Sequence, residues 1–395
     1  MSDDGQPHPA LPFAQGIGAN RAAFDVPREV AYFNTSNMSL QLRAVRAAGM
    51  AALRRRSRPW TIAAQDWFTD VEIARSLFAE LIGADSDGVA LVAASSYGFA
   101  VAASNLPLRR DQRVLVLAEE YPSGIYTWRR AVPRAGARLL TVSREPGRSW
   151  TDAIMAQLDE RVGVVSVPNV HWTDGALIDL ERVAARAREV GARLVLDASQ
   201  SLGAMPLDVR QLRPDFVIAV GYKWLLGPFG LGYLYIAEEH RGGQPLEENW
   251  ISRAGSEDFA RLVDYRDDYQ PGSRRFDVGQ RTHFELMPMA VAALRQLTTW
   301  QVSNIATALS QVTAQLAKGA ADLGLTPLPA DQRGPHVLGL ALPPELRTPM
   351  LATLADKGCF AAIRGQSLRI SPHLHTDQAD IDTLLTALAE AHEAG

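Results

Sequence analysis

The chain has 395 residues, 47% of them hydrophobic and 21% charged, which is enough apolar material for a sizeable buried core. Its formal net charge of −4 gives no electrostatic reason to expect nucleic acid or an anionic membrane as a partner. The one cysteine, Cys359, excludes an intramolecular disulfide and any cysteine-rich metal site, and no apolar run approaches the ~20 residues of a membrane span.

In chain order, MSDDGQPHPALPFAQ has neither the basic nor the apolar region of a signal peptide, so a cytoplasmic protein is expected. GIGAN follows with no strand before it and no third glycine, which argues against a nicotinamide-binding loop. From Asp70 onward, helical and strand-like patterns alternate. VEIARSLFAELIG has apolar residues at helical spacing and ends in Gly83, a C-cap residue. VALVAAS reads as a buried strand, followed by a helix from Gly98, the strand RVLVLAEE and the helix WRRAVPRAGA. RVGVVSVPNV, ARLVLDAS, DFVIAV and GLGYLYIA are further short apolar runs, and LERVAARAREVGA between two of them is an amphipathic helix.

Apolar runs without strict alternation, joined by helices, predict an α/β fold with a mostly parallel sheet covered on both faces. Ligands in such sheets bind beyond the carboxyl ends of the strands. Ser95–Ser96, Glu119–Tyr121, Asn169–His171, Asp197–Gln200 and Tyr222–Lys223 fall there. From Arg241 to Thr282 the sequence turns polar and irregular, as functional or subunit-contact segments do. A long helical pattern from Leu286 to Gly324 and a small α+β region close the chain. The expected division is an N-terminal arm over 1–30, a large domain over 31–283 and a smaller C-terminal domain over 284–395.

The most informative segment is LVLDASQSLGAMPLDVRQLRPDFVIAVGYKWLLGPFGLGYLYI. One apolar strand ends in Asp197, with Gln200 shortly after, and the next ends in Gly221-Tyr222-Lys223. Parallel strands bring both ends to one edge, so a carboxylate and an amine converge over one crevice. A buried lysine amine with a lowered pKa serves as nucleophile and general base.

This segment resembles the fold-type I pyridoxal 5′-phosphate (PLP) enzymes of the class V aminotransferase/cysteine desulfurase family. Asp197, Gln200, Gly221, Tyr222, Lys223, Gly230 and Gly232 stand at the positions of the family's motif. The resemblance implies that PLP is the cofactor, carried by Lys223 as a Schiff base. It implies Asp197 at the pyridine nitrogen, Gln200 at the ring 3′-oxygen, and glycines 227, 230 and 232 along the cofactor edge. It extends from YFNTSNMSL to ISPHLHTD. ASSYGFA is similar to the family's phosphate cup, which implies Ser95 and Ser96 at the phosphate. EEYPSGIYTW implies Tyr121 over the cofactor ring, VPNVHWTDG implies Asn169 beside the cofactor oxygen, and His171 is a candidate acid/base group. SLRISPHLHTD implies Arg369 paired with a substrate α-carboxylate, with Arg364 as a further candidate. FDVGQR implies that Gln280 reaches a neighbour's phosphate, hence a homodimer with a shared active site.

Departures from the pattern bear on the reaction. Val220 stands where desulfurases commonly have serine, and Tyr222 where they often have histidine; Tyr222 keeps a hydroxyl donor. A persulfide-relaying desulfurase needs an exposed, mobile cysteine, whereas Cys359 lies in GCFAAI, an apolar run that reads as a strand. The preferred reading is a transaminase-type enzyme acting at the Cα of an amino acid, with no metal. A C–S or β-eliminating lyase, an epimerase and a non-catalytic PLP-fold binding protein remain as alternatives.

Overall fold

The computed structural model describes residues 20–145 and 147–393. The segment read above as neither leader nor nucleotide loop, and the first part of the expected arm, therefore lie almost wholly outside the described residues.

The elements run, in chain order, β1 (Ala31–Tyr32), α1 (Arg43–Arg56), α2 (Thr69–Ile82), β2 (Val89–Val92), α3 (Ser95–Asn105), β3 (Arg113–Leu117), α4 (Pro122–Ala135) and β4 (Arg138–Val142). They continue with α5 (Trp150–Met155), β5 (Val162–Pro168), α6 (Leu180–Glu189), β6 (Arg193–Asp197), α7 (Val209–Leu212), β7 (Phe216–Val220) and β8 (Gly232–Ile236). The remainder is α8 (Met287–Trp300), α9 (Val302–Asp322), β9 (Leu338–Ala341), α10 (Pro344–Asp356), β10 (Cys359–Phe360), β11 (Ala362–Arg364), β12 (Ser367–Ile370) and α11 (Gln378–Glu393).

Seven strands form the central sheet in the order β2-β8-β7-β6-β5-β3-β4. Only β8 runs antiparallel to its neighbours. Alternate residues serve opposite faces: Val89, Leu91, Leu115, Val217 and Ala219 enter one apolar cluster, while Ala90, Val92, Val114, Val116 and Ile218 enter the other. Helices cover both faces, which is why the strands read as continuous apolar runs. In α2, Val71, Ala74, Phe78 and Ile82 are buried at helical spacing, and Gly83 ends it in the left-handed region at φ +68°.

A second core gathers around β9–β12, α10 and α11. Ala31 and Phe33 belong to it, because β1 pairs with β10, while Met287, Leu294 and Leu297 of α8 pack into the large core. The two cores thus exchange segments across the boundary expected at residue 283. The single long helix expected after Leu286 is two helices, broken at Gln301, whose φ is +63°. Helices α3 and α4 begin at Ser95 and Pro122, earlier than their apolar patterns suggest.

Candidate active site

The carboxyl ends of β5, β6 and β7 lie side by side, with Pro168 paired to Asp197 and Asp197 to Ile218. Beyond them opens a small cavity lined by Ser95, Glu120, Tyr121, Trp172, Asp197, Gln200, Tyr222 and Lys223, among others.

Asp197 ends β6, is buried, and accepts a hydrogen bond from the Ser199 amide at 2.9 Å. Burial pushes its carboxyl up; Ser199 and Lys223 pull it back down. Lys223 follows the end of β7 by three residues. Burial lowers its amine to about 8 against the attraction of Asp197, and Arg369 and Arg364 lower it further. Its Nζ lies 5.5 Å from the ring centre of Tyr121 and 5.8 Å from that of Tyr222. Tyr121 is the N-cap of α4, with Pro122 in the first turn fixing the turn-in.

The glycines of the lysine loop have reasons internal to the loop. The Gly227 amide bonds to the Gly221 carbonyl at 2.9 Å and the Gly221 amide to the Leu231 carbonyl at 2.8 Å, so the backbone doubles back on itself. Gly230 takes φ +90°, a conformation open to glycine at little cost.

Ser95 is buried as the first residue of α3, whose N-cap, Ala94, offers no side-chain acceptor to the first turn. Ser96 beside it is exposed and does not line the cavity. Gln200 donates from Nε2 to the Ser36 carbonyl at 3.1 Å and accepts from Trp224 Nε1 at 3.2 Å. Asn169 is buried between Pro168 and Val170, which line the cavity. Arg369 is 1% exposed, donates to the Trp172 carbonyl at 2.6 Å, and has its Nε buried without a partner. Burial pulls this guanidinium down to about 9.

Of the expected residues, Ser96, Asn169, His171, Gln280, Arg364 and Arg369 are not among those that line the cavity. His171 is buried and turned away: its ring nitrogens lie 2.8 Å from Thr173 Oγ1 and 3.2 Å from the Ala118 carbonyl, and its ring stacks on Trp150. Gln280 is exposed, in the irregular segment before α8.

Trp172 lines the cavity without having been singled out, and Glu120 lines it although only its place within Glu119–Tyr121 was noted. Trp172 donates to the Glu119 carbonyl at 2.6 Å and meets the Tyr121 ring edge-on at 5.9 Å. Its signal was its place in the strand-end segment after Asn169. Glu120 gives one oxygen to the Tyr121 amide at 2.6 Å, while its Oε2 is buried without a partner. Burial lifts this carboxyl to about 8.

The donor set fits PLP: a buried amine at one strand end, a buried carboxylate at the next, an aromatic wall and an uncapped helix start.

The family model for aminotransferase class-V matches residues 56–384. YcbU, an uncharacterized aminotransferase of Bacillus subtilis, is 27% identical over 80% of this chain and 83% of its own. A kynureninase of Deinococcus radiodurans is 30% identical over 68% of this chain and 66% of its own. Among solved structures, a cysteine desulfurase from Thermococcus onnurineus NA1 superposes with a TM-score of 0.78 at 20% identity, covering 95% of this chain and 98% of that one. That last likeness shows the shared fold.

Proposed function

This chain belongs to the aminotransferase class-V family of PLP-dependent transferases and lyases, and from that premise we propose that it transfers the amino group of an L-amino acid, with Lys223 as its catalytic residue. The observation that carries the reading is the convergence of Lys223 and Asp197 from adjacent strand ends on one cavity walled by Tyr121.

Bound there, PLP supplies an electron sink for the pair left when a bond at the substrate Cα breaks. Lys223 holds the cofactor through its amine and then takes up and redelivers the proton at Cα. Asp197 keeps a proton on the ring nitrogen, and Tyr121 covers one ring face and excludes water from it. Ser95 and Ser96, at the start of α3, hold the phosphate with free backbone N–H groups, a task that suits a helix N-terminus. Tyr222 adds its hydroxyl, and Gln200 and Asn169 serve the ring oxygen. Arg369 pairs with the substrate α-carboxylate, for which a guanidinium fork is well shaped. His171 has no part in this reading, because its nitrogens are spent on Thr173 and Ala118. Gln280, exposed on the irregular segment, reaches the phosphate of a second copy, which makes the enzyme a homodimer of the cytoplasm.

The transferase is preferred over the lyase because the aminotransferase relative matches more of the chain than the kynureninase does. Cys359 argues against a persulfide relay: it is buried in β10, and burial pushes its thiol up to about 11.

The test is the visible absorbance of the purified protein before and after borohydride, and its products with a panel of amino acids. A band that borohydride bleaches, absent in Lys223→Ala, supports the assignment of Lys223. Keto acid released without ammonia supports a transferase, and ammonia with pyruvate or sulfide means a lyase. A protein that gains no band with added PLP would sink the reading.

A further inference from the structure

Arg364 and Arg369 stand on one face of the β11–β12 hairpin. Ala362 pairs with Arg369 and Arg364 with Ser367. Paired residues share a face and side chains alternate along a strand, so the two guanidiniums are diagonal neighbours across the ladder. The turn between the strands is only Gly365-Gln366, with Gly365 at φ +55°. So short a turn leaves no room for an intervening acidic residue.

Neither arginine forms an ion pair among the described residues. Arg369 is spent on one carbonyl, and its Nε is buried and free. Arg364, half-buried, donates to the Ile363 carbonyl at 2.8 Å and to Asn37 Oδ1 at 3.0 Å. Each is near enough to Lys223 to weaken its hold on a proton, so both charges act on the same cavity. The acids around them do not cancel two positive charges. Asp197 is coupled to Lys223, and burial raises the Glu120 carboxyl to about 8, which favours its uncharged form. Glu119 approaches the hairpin turn but is exposed; its Oε2 would lie 3.4 Å from a Cβ on Gly365.

Arg369 is fully buried and Arg364 half-buried, and two like charges side by side repel unless a ligand offsets them. An α-carboxylate offsets one. We propose that Arg364 is a specificity-determining residue that reads a second anionic group, so that the preferred substrate is an amino acid with an acidic side chain. The inference rests on the reading of Arg369 as the α-carboxylate partner. Asn37, which orients the Arg364 fork through Oδ1, is its positioning residue.

The experiment is calorimetric titration of the purified cofactor-bound protein with succinate and glutarate against propionate and butyrate, alongside kcat/KM for aspartate and glutamate against asparagine and glutamine. A charge-assisted hydrogen bond predicts roughly 10- to 100-fold tighter binding of the dianions. Arg364→Ala and Arg364→Gln should erase that ratio by weakening dianion binding more than propionate binding, and Arg364→Lys should restore part of it. Equal binding of mono- and dianions by the unsubstituted protein overturns the inference, as does an Arg364→Gln protein that loses both classes equally. Since the titration needs no turnover, it separates the two readings. Turnover of neutral amino acids with no dianion preference overturns this inference and leaves the proposed function standing. Dianion preference without turnover supports it and counts against the function.

Discussion

The amine of Lys223 lies 5.5 Å from the centre of the Tyr121 ring, and Tyr121, Asp197 and Lys223 line one cavity. A flat side chain there stacks on a flat ligand and keeps water from one face. Aromatic contacts of this kind contribute about 0.5–1.5 kcal/mol beyond the area they bury. Tyr121→Phe should therefore keep cofactor affinity, while Tyr121→Ala should weaken it roughly 2- to 12-fold. Titration of the stripped protein with PLP, followed by absorbance, reads the difference. An alanine variant that binds as tightly as the original would remove Tyr121 from the cofactor wall.

The amine of Lys223 is neutral at lower pH than an ordinary lysine, because burial disfavours its charged form and brings it to about 8. Attack on the cofactor aldehyde needs the neutral amine. The rate at which stripped protein takes up PLP should rise about tenfold per pH unit below 8 and level off above it. Arg364→Ala removes one of the charges that lower this amine, so the break in its profile should move to higher pH. A profile still climbing toward pH 10 would mean that Lys223 is solvated like a surface lysine.

Glu120 carries a cost that depends on pH. Burial lifts its carboxyl from an ordinary 4.5 to about 8, and Asp197 nearby adds to the effect. Between those values the folded protein keeps a proton that the unfolded chain releases, so stability falls as pH rises across this window and is flat above it. Glu120→Gln holds the same shape without the titration. Its Tm should match that of the parent near pH 4.5 and exceed it by a few degrees near pH 8. Parallel curves across the window would show that the carboxyl is already ionised in the fold.

Much of this arrangement is legible in the sequence because parallel strands buried on both faces are written as short Val/Ile/Leu runs, and their ends announce themselves in Asp197, Asn169 and Tyr222-Lys223. Periodicity is silent on what lies across the cavity. Trp172 reaches it from the residue after His171, and only the local turn decides that the tryptophan faces the cavity while the histidine turns to Thr173 and Ala118. The hairpin that aligns Arg364 with Arg369 depends on register, which a lone five-residue separation does not reveal. The break at Gln301 is equally hidden: no glycine or proline marks it, and the apolar spacing continues through it. Pairing of β1 with β10 joins residues more than 300 apart in the chain, beyond the reach of any local pattern.

Asp277 ties the irregular segment before α8 to the strand that leads into the candidate phosphate site. Its Oδ2 accepts from Arg75 Nη2 at 2.7 Å and from Arg281 Nη1 at 2.8 Å, and its Oδ1 accepts from the Leu91 amide at 2.7 Å. The side chains of Arg75, Asp277 and Arg281 are fully buried. Removing the one carboxylate would leave Arg75 with Glu72 and the Val89 carbonyl, Arg281 with only Gln270, and the Leu91 amide without its acceptor, all away from water. Losing one partner of a buried ion pair costs about 3–5 kcal/mol, more than the intact pair contributes over an apolar replacement. Asp277→Ala should accordingly lower the denaturant midpoint sharply, and Asp277→Asn, which keeps an acceptor for Leu91, should lower it less. Since Leu91 lies four residues before Ser95, both variants should also loosen the start of α3 and weaken PLP binding in the same order. Equal midpoints for the alanine variant and the parent would mean that the arginines find other acceptors, and that the segment is held to the sheet by its packing alone.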